Sequence, residues 1–316
     1  MDTRHLATLR AVRDRGGVTA AAAALHLTPS AVSQQLRALT RDAGVEVVER
    51  VGRGIRLTGP GLALAEAAGD VAVALERAEA AVDAFRSAPH GLVRVAAFQS
   101  AAELLLPGLL TRVAAMTGVQ VELGDEDVAQ DRFPALTADF DLVVAHRPDA
   151  APPWPAEVRA VPLLREPLDV ALPPGHPLAD RAVLTPADLA DEPWIAVHEG
   201  FPVAGVLDAV GAAAGAPPRI VQRFNDFGVV EALVAAGHGI SLLPRHTAGR
   251  RGAVLVPLAG VRAGRRVDAL VRPDRAERRV VRRVLDALRA EAARFADVPT
   301  GSLDPREPEP VRHRHP

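Results

Sequence analysis

The sequence predicts an α/β protein that carries an all-α winged helix-turn-helix at its N terminus, with a long linker helix between the two parts. Three observations predict it. Residues 2–58 hold three short amphipathic segments and a glycine-tipped hairpin. Residues 60–86 repeat apolar side chains at alternating spacings of four and three, the seam of a helix that pairs with another helix. Residues 92–295 alternate short β-branched runs with helical ones, the pattern of an α/β domain with parallel sheets.

The first segment, from Asp2 to about Arg13, puts Leu6, Leu9 and Val12 on one face and stops at Gly16-Gly17. A short alanine-rich helix follows, expected to be capped near Thr19, with Leu25 turned toward the core. Thr28 is a favourable cap for the third helix, and Pro29 suits a first helical position, where its missing N–H would have no partner. Val32, Leu36 and Leu39 form its apolar face, and Ser30, Ser33, Gln34 and Arg37 lie off it. Hydroxyls, an amide and a guanidinium are the groups that read base edges and hold phosphates. The helix runs out near Gly44. After Val45-Glu46-Val47-Val48, Gly52-Arg53-Gly54 forms a hairpin tip surrounded by Arg50, Arg53 and Arg56.

Pro60 is expected to open the linker helix, which reaches about Arg86. Its seam is Leu64, Ala68, Val71, Leu75, Ala78, Val82 and Phe85. A helix packed only on its own domain would show a broader apolar face of period 3.6. Ser87-Ala88-Pro89-His90-Gly91 is a break and an expected hinge.

Beyond it, strands are expected at 92–98, 119–123, 141–145, 158–163, 168–172, 194–197, 219–223, 240–243, 254–258 and 266–271. Helices are expected at 101–116, 203–214, 228–236 and 275–295, with a short turn at 186–189. The segment 298–316 is proline-rich, polar and aperiodic, which predicts a disordered tail. The Arg312-His313-Arg314-His315 run in it is better read as solvated than as a metal site.

Composition narrows the function classes. The chain has 316 residues, enough for two or three domains. Its formal net charge is -2, so any nucleic-acid surface must be local. Residues 1–58 hold nine arginines against five acidic residues, which puts the basic surplus at the N terminus. All 37 basic residues are arginine, and lysine, tyrosine and cysteine are absent. GC-rich coding would produce that bias, and the bias discounts any single arginine as a signal. Without cysteine there are no disulfides, thiolate metal sites or thiol nucleophiles. The opening Met1-Asp2-Thr3-Arg4-His5 is not a signal peptide, and no run approaches a membrane span. A cytoplasmic protein without membrane contact, metal or cofactor is expected.

These motifs together resemble the LysR-type transcriptional regulators. The N-terminal likeness rests on Gly17-Val18-Thr19-Ala20-Ala21-Ala22, Leu25-His26-Leu27-Thr28, Ala31-Val32-Ser33-Gln34-Gln35-Leu36, Gly44-Val45 and the stretch 53–58. The C-terminal likeness rests on His176-Pro177-Leu178-Ala179, Asp188-Leu189-Ala190-Asp191-Glu192-Pro193, Leu233-Val234-Ala235-Ala236-Gly237-His238-Gly239 and Leu243-Pro244. It covers roughly residues 3–292. Three departures stand out: Thr40 where the family has an acidic residue, Val48 where it has Phe, and a short 124–141 segment with Pro134.

The resemblance implies a two-lobed effector domain of the type 2 periplasmic-binding-protein kind. Expected boundaries are 1–58 for the winged helix-turn-helix, 59–87 for the linker and dimerisation helix, and 88–297 for the effector domain. Lobe I would take about 91–164 and 266–297, and lobe II about 165–265, with crossovers near Leu164–Pro167 and Arg262–Arg266. The helix 29–40 would enter the major groove. There Ser30, Ser33, Gln34 and Arg37 would face bases, while Thr28, Arg50, Arg53 and Arg56 would lie along phosphates, with Pro29 also at the DNA. A dimer presents two such helices, so the target is double-stranded DNA with an interrupted inverted repeat. The family likeness extends the dimer to a tetramer and adds RNA polymerase as a possible partner.

The effector should meet strand ends and helix N-termini. Ser100 and Ala101, His146 and Arg147, Glu199, Gly200 and Phe201, and Asn225 and Asp226 all occupy such ends. His146, Arg147 and Arg223 favour an anionic small molecule. An α/β enzyme fused to a DNA-binding domain is the rival class. However, the chain has no phosphate loop, no His-Glu-x-x-His and no nucleophile elbow. A DNA-binding protein without an effector would leave residues 92–295 without a role.

Overall fold

The structure, a computed structural model, describes residues 1–52, 54–83, 85, 89–201 and 203–296. Among them no helix is long and apolar enough to cross a membrane. Arg53, the centre of the expected hinge at Ser87-Ala88, and the 298–316 tail lie outside the described residues.

The N-terminal domain has helices α1 (Thr3–Arg15), α2 (Val18–Ala24) and α3 (Pro29–Ala43), then an antiparallel hairpin of β1 (Val48–Val51) and β2 (Gly54–Leu57). The Asp2 carboxylate caps α1 by accepting from the Arg4 N–H at 2.8 Å. Gly44 ends α3 at φ 68°, a left-handed angle that glycine adopts without steric cost. Leu6, Leu9, Val12, Ala21, Val32, Leu36 and Leu39 close into one core with Val47 and Leu57. The expected cap at Thr19 is corrected. Helix α2 begins at Val18, and its cap position, two residues before Thr19, is Gly17, which offers no side chain.

Helix α4 (Gly59–Asp83) starts one residue before Pro60. The Thr58 hydroxyl accepts from the Gly61 N–H at 3.1 Å and donates to the Glu46 carbonyl at 2.6 Å. Gly61 lies so close to the Val47 carbonyl that a Cβ would collide with it. That contact seats α4 on the winged domain. It also divides the seam. Ala68 is buried and Leu64 half-buried against their own domain's core, because α4 packs along α1. Val71, Leu75, Ala78 and Val82 remain exposed, and Phe85 lies past the helix end with 93% of its surface free.

The C-terminal part contains β3 (Gly91–Ala97), α5 (Gln99–Ala114), β4 (Val119–Asp125), α6 (Phe133–Leu136), β5 (Leu142–Pro148) and β6 (Arg159–Leu172). It continues with β7 (Pro193–Ala196), α7 (Ala204–Ala214), β8 (Arg219–Arg223), α8 (Phe227–Ala235), β9 (Ser241–Pro244) and β10 (Val254–Val256). It closes with β11 (Gly264–Val271), α9 (Pro273–Glu277) and α10 (Arg279–Ala296). One seven-stranded sheet has the order β10-β6-β11-β5-β3-β4, with β9 also on β6. Strands β7 and β8 form a separate parallel pair.

Three expectations are corrected. The sheet is mixed, not parallel, because β6 leaves lobe I and β11 returns to it, so the two run antiparallel. The two strands expected at 158–163 and 168–172 are the single strand β6. Pro162 is tolerated inside it because it lies opposite a register shift at Val267/Asp268. The closing helix is two helices, since Arg278 is extended at ψ 123° and separates α9 from α10.

The larger apolar core packs α5 and α10 against β3, β5 and β11. A smaller one lies under β7 and α7 around Trp194, Leu172 and Leu184. These are the cores of the two lobes, and β6 and β11 pass between them.

Candidate functional site

The exposed face of α3 carries the predicted reading residues. Thr28 accepts from the Ala31 N–H at 3.1 Å and lies 2.9 Å from the Ser30 hydroxyl. The Ser33 hydroxyl donates to the Pro29 carbonyl at 2.9 Å. Gln34 and Arg37 are exposed and make no hydrogen bond or ion pair among the described residues; with His5, Gln35, Ala38 and Arg41 they line a shallow groove. Most arginines elsewhere are engaged by carboxylates, so unpartnered ones on this face stand out. Gln35 does not join them, because its amide oxygen accepts from Thr8 and ties α3 to α1.

On the hairpin, Arg50 is exposed and unpaired among the described residues. Arg56 donates to Glu49, its cross-strand partner, at 2.6 Å. An exposed pair of this kind is worth about 0–1 kcal/mol, so a phosphate can displace Glu49 at little cost.

The second site lies between the lobes. A cavity of about 580 Å³ is lined by Gln130 and Pro148 of lobe I and, from lobe II, by Ile195–Val197, Glu199–Phe201, the first turn of α7, Arg223 and Ser241. The first turn of helix α7 has no side-chain cap; its Ala204 N–H donates to the Phe201 carbonyl at 3.0 Å and its Val206 N–H to the Val203 carbonyl at 3.1 Å. Arg223 donates to the Val197 carbonyl at 2.8 Å and lies 3.4 Å from Glu199. Glu199 and Asp208 put negative charge on the same wall.

Behind the cavity, at the crossover, lies a buried polar cluster. Arg265 on β11 sits opposite Glu166 on β6 and donates to it at 2.6 and 2.9 Å. Its second donor reaches the Ser100 hydroxyl at 2.7 Å. Arg265 is 1% and Glu166 2% exposed. Removing one partner of so buried a pair typically costs about 3–5 kcal/mol, since the other charge is left alone. The guanidinium also lies over Phe98 of lobe I at 4.9 Å and Phe227 of lobe II at 5.5 Å, so one cation is held between rings from both lobes. Arg265 Nη1, Glu166 Oε1 and His146 Nδ1 are buried without a protein partner.

Of the predicted effector residues, Glu199, Gly200 and Phe201 line the cavity, and Ser100 and His146 belong to the cluster behind it. Ala101 is buried in the lobe I core. The Asn225 side chain accepts from the His198 N–H at 2.9 Å, and Asp226 caps α8 by accepting from the Val229 N–H at 3.0 Å. Arg147 is a correction. Alternation along β5 turns it away from His146. It donates instead to Asp268 at 3.2 Å and to the Ala151 carbonyl at 3.0 Å, and it does not line the cavity. His146 is not a cation either: burial, reinforced by Arg265, holds its imidazole well below its usual pKa. Of the three groups taken to favour an anion, only Arg223 faces the cavity.

Sequence reasoning missed Arg265, Glu166 and Asp127. Asp127 follows β4 and lies close enough to Arg265 to feel its charge. Burial lifts its carboxyl to about 6 against the opposing pull of Arg265, and Asp125 and Asp226 push it the same way. One available signal was Glu166 and Arg265 falling within the expected crossovers, where both lobes press on any charge.

Two family profiles match. Residues 3–62 match "Bacterial regulatory helix-turn-helix protein, lysR family", and residues 86–293 match "LysR substrate binding domain". The HTH-type transcriptional regulator CbbR of Xanthobacter flavus is 31% identical over 250 residues, covering 77% of this chain and 73% of the relative. A full-length OxyR from Pseudomonas aeruginosa superposes with a TM-score of 0.65 at 20% identity, over 92% of this chain and 97% of that one. Full-length CbnR in complex with its target DNA superposes with a TM-score of 0.53 at 25% identity, over 92% and 100%.

Proposed function

The chain belongs to the LysR family of transcriptional regulators, and on that premise we propose how its own residues divide the work. Helix α3 lies in the major groove with Ser30, Ser33, Gln34 and Arg37 toward the bases. Gln34 suits adenine, and Arg37 suits the N7/O6 edge of guanine. Thr28, Pro29, Arg50, Arg53 and Arg56 follow the phosphates and set register without reading sequence. The observation that carries this reading is the pair of exposed, unengaged side chains Gln34 and Arg37 on a helix whose opposite face is fully buried.

The exposed strip of α4, Val71, Leu75, Ala78 and Val82, pairs with the same strip of a second copy. The dimer offers two reading helices to an interrupted inverted repeat in double-stranded DNA, and two dimers assemble on longer sites, where RNA polymerase is engaged from the cytoplasm. The effector is a small molecule in the cavity between the lobes. Its anionic end meets Arg223 and the first turn of α7, and its remainder meets the apolar wall of Ile195, Phe201 and Leu207. Binding shifts the population of closed lobes and so the spacing of the reading helices; no chemical step is involved.

The test is operator binding by the purified full chain, on a duplex selected from random sequence. One lost bidentate contact costs about 1–3 kcal/mol, roughly tenfold to a hundredfold in affinity. Gln34→Ala together with Arg37→Ala should lose that much or more and relax preference at two base positions. Unchanged affinity and unchanged preference would show that α3 does not read DNA in this way.

A further inference from the structure

The winged domain and the effector part of the same chain touch, and the contact is built from ions. Arg10 of α1 donates to Asp274 of α9 at 3.1 Å. Arg272, the residue after β11, donates to Asp14 of α1 at 2.6 Å and lies 3.5 Å from Asp274. Two acids and two arginines thus alternate across the domain boundary, each with only 11 to 17% of its side chain exposed. Burial would raise the Asp274 carboxyl, but Arg10 and Arg272 outweigh it and hold the group below its ordinary value.

Three weaker contacts flank the four. Arg15 reaches Asp139 at 2.7 Å and the Ala138 carbonyl at 3.0 Å. Arg77 of α4 reaches Glu277 of α9 at 3.1 Å, and Arg279 donates to the Asp83 carbonyl.

What the boundary lacks is equally informative. The apolar cluster of the winged domain draws its members from residues 6–68, and that of lobe I from residues 93–295. Among the described residues no buried apolar cluster spans both. A domain contact without a hydrophobic core is reversible, and relative motion is its default. Held mainly by ion pairs, it weakens as salt rises, though partial burial shields it from complete screening.

We propose that Arg10, Asp14, Arg272 and Asp274 form a reversible latch that docks the winged domain on its own effector domain and fixes the direction in which α3 points. Closed, the latch presents α3 at one angle to the effector domain. Open, α3 moves together with α4, on which the winged domain is seated, and samples many angles to the effector domain. The inference goes beyond the assignment of base-reading residues and stands or falls separately from it, because neither its premises nor its test involves DNA.

The chain has no cysteine, so Ala20→Cys on α2 and Asp286→Cys on α10, both exposed, give two unique labels. Pulsed electron spin resonance on the labelled full chain, diluted with unlabelled protein to suppress distances between subunits, reads the separation of the two domains. At low salt the distance distribution should be one narrow peak. Asp14→Asn with Arg272→Gln should lose that peak at low salt and give a broad distribution. Molar salt should do the same to the unsubstituted latch, which keeps the test decisive where the double variant fails to fold. A narrow peak that survives both treatments overturns the proposal.

Discussion

Asp127 is a carboxyl that the fold pushes well above its ordinary range. In the unfolded chain its carboxyl titrates near 3.8, and in the fold at about 6. The folded state therefore holds that proton more tightly. Its share of stability rises as pH falls through about 6, and is fully gained below the unfolded value. The groups facing it are Arg265 on β11, Asp125 at the end of β4 and Asp226 at the start of α8. Melting curves of the full chain should show the unsubstituted protein gaining stability between neutral and mildly acid pH relative to Asp127→Asn. Parallel curves for the two proteins would remove Asp127 as the titrating group. None of this could be read from sequence. Asp127 draws its environment from residues nearly 100 and 140 positions away (Asp226 and Arg265), whereas the Thr28 cap and Pro29 are local and legible at sight.

At the scale of the element, the proposed subunit contact rests on one strip of α4. A row of Val71, Leu75, Ala78 and Val82 exposed on a 25-residue helix is a surface that water covers poorly. Leu75→Asp puts a charge at its middle, and sedimentation of the purified chain should then show a monomer where the unsubstituted chain is a dimer. A dimer that persists would place the subunit contact elsewhere. The heptad spacing was legible in sequence, but it cannot tell a partner helix from a neighbour in the same domain. Leu64 and Ala68 keep the spacing and pack on α1 nonetheless. Secondary structure differs from the sequence pattern for a related reason. A single extended residue at Arg278 does not disturb the apolar rhythm of the closing helix, and β6 runs on through Pro162 because its partner strand shifts register opposite it.

At the scale of the molecule, β6 and β11 are the shared members: both lobes hang from them, and β11 continues past its last residue into Arg272 and the latch. The Leu168 N–H donates to the Ala263 carbonyl at 3.2 Å, so the chain enters and leaves lobe II at one point. Lobe II is held by two smaller apolar clusters, by β9 and β10 on the end of β6, and by a two-stranded pair with a register shift. Hydrogen exchange should find residues 168–263 opening as one unit before lobe I does. Simultaneous exchange across both lobes would show instead that the crossover makes them a single cooperative body. The doubled neck has a further consequence. Lobe II is an insertion, a closed parenthesis in the chain of lobe I, and the sheet from β3 to β5 could be joined across Pro167 and Gly264 by a few residues. A regulator built in this way can exchange lobe II while its winged domain, its linker helix and the strand that ties them stay in one uninterrupted frame.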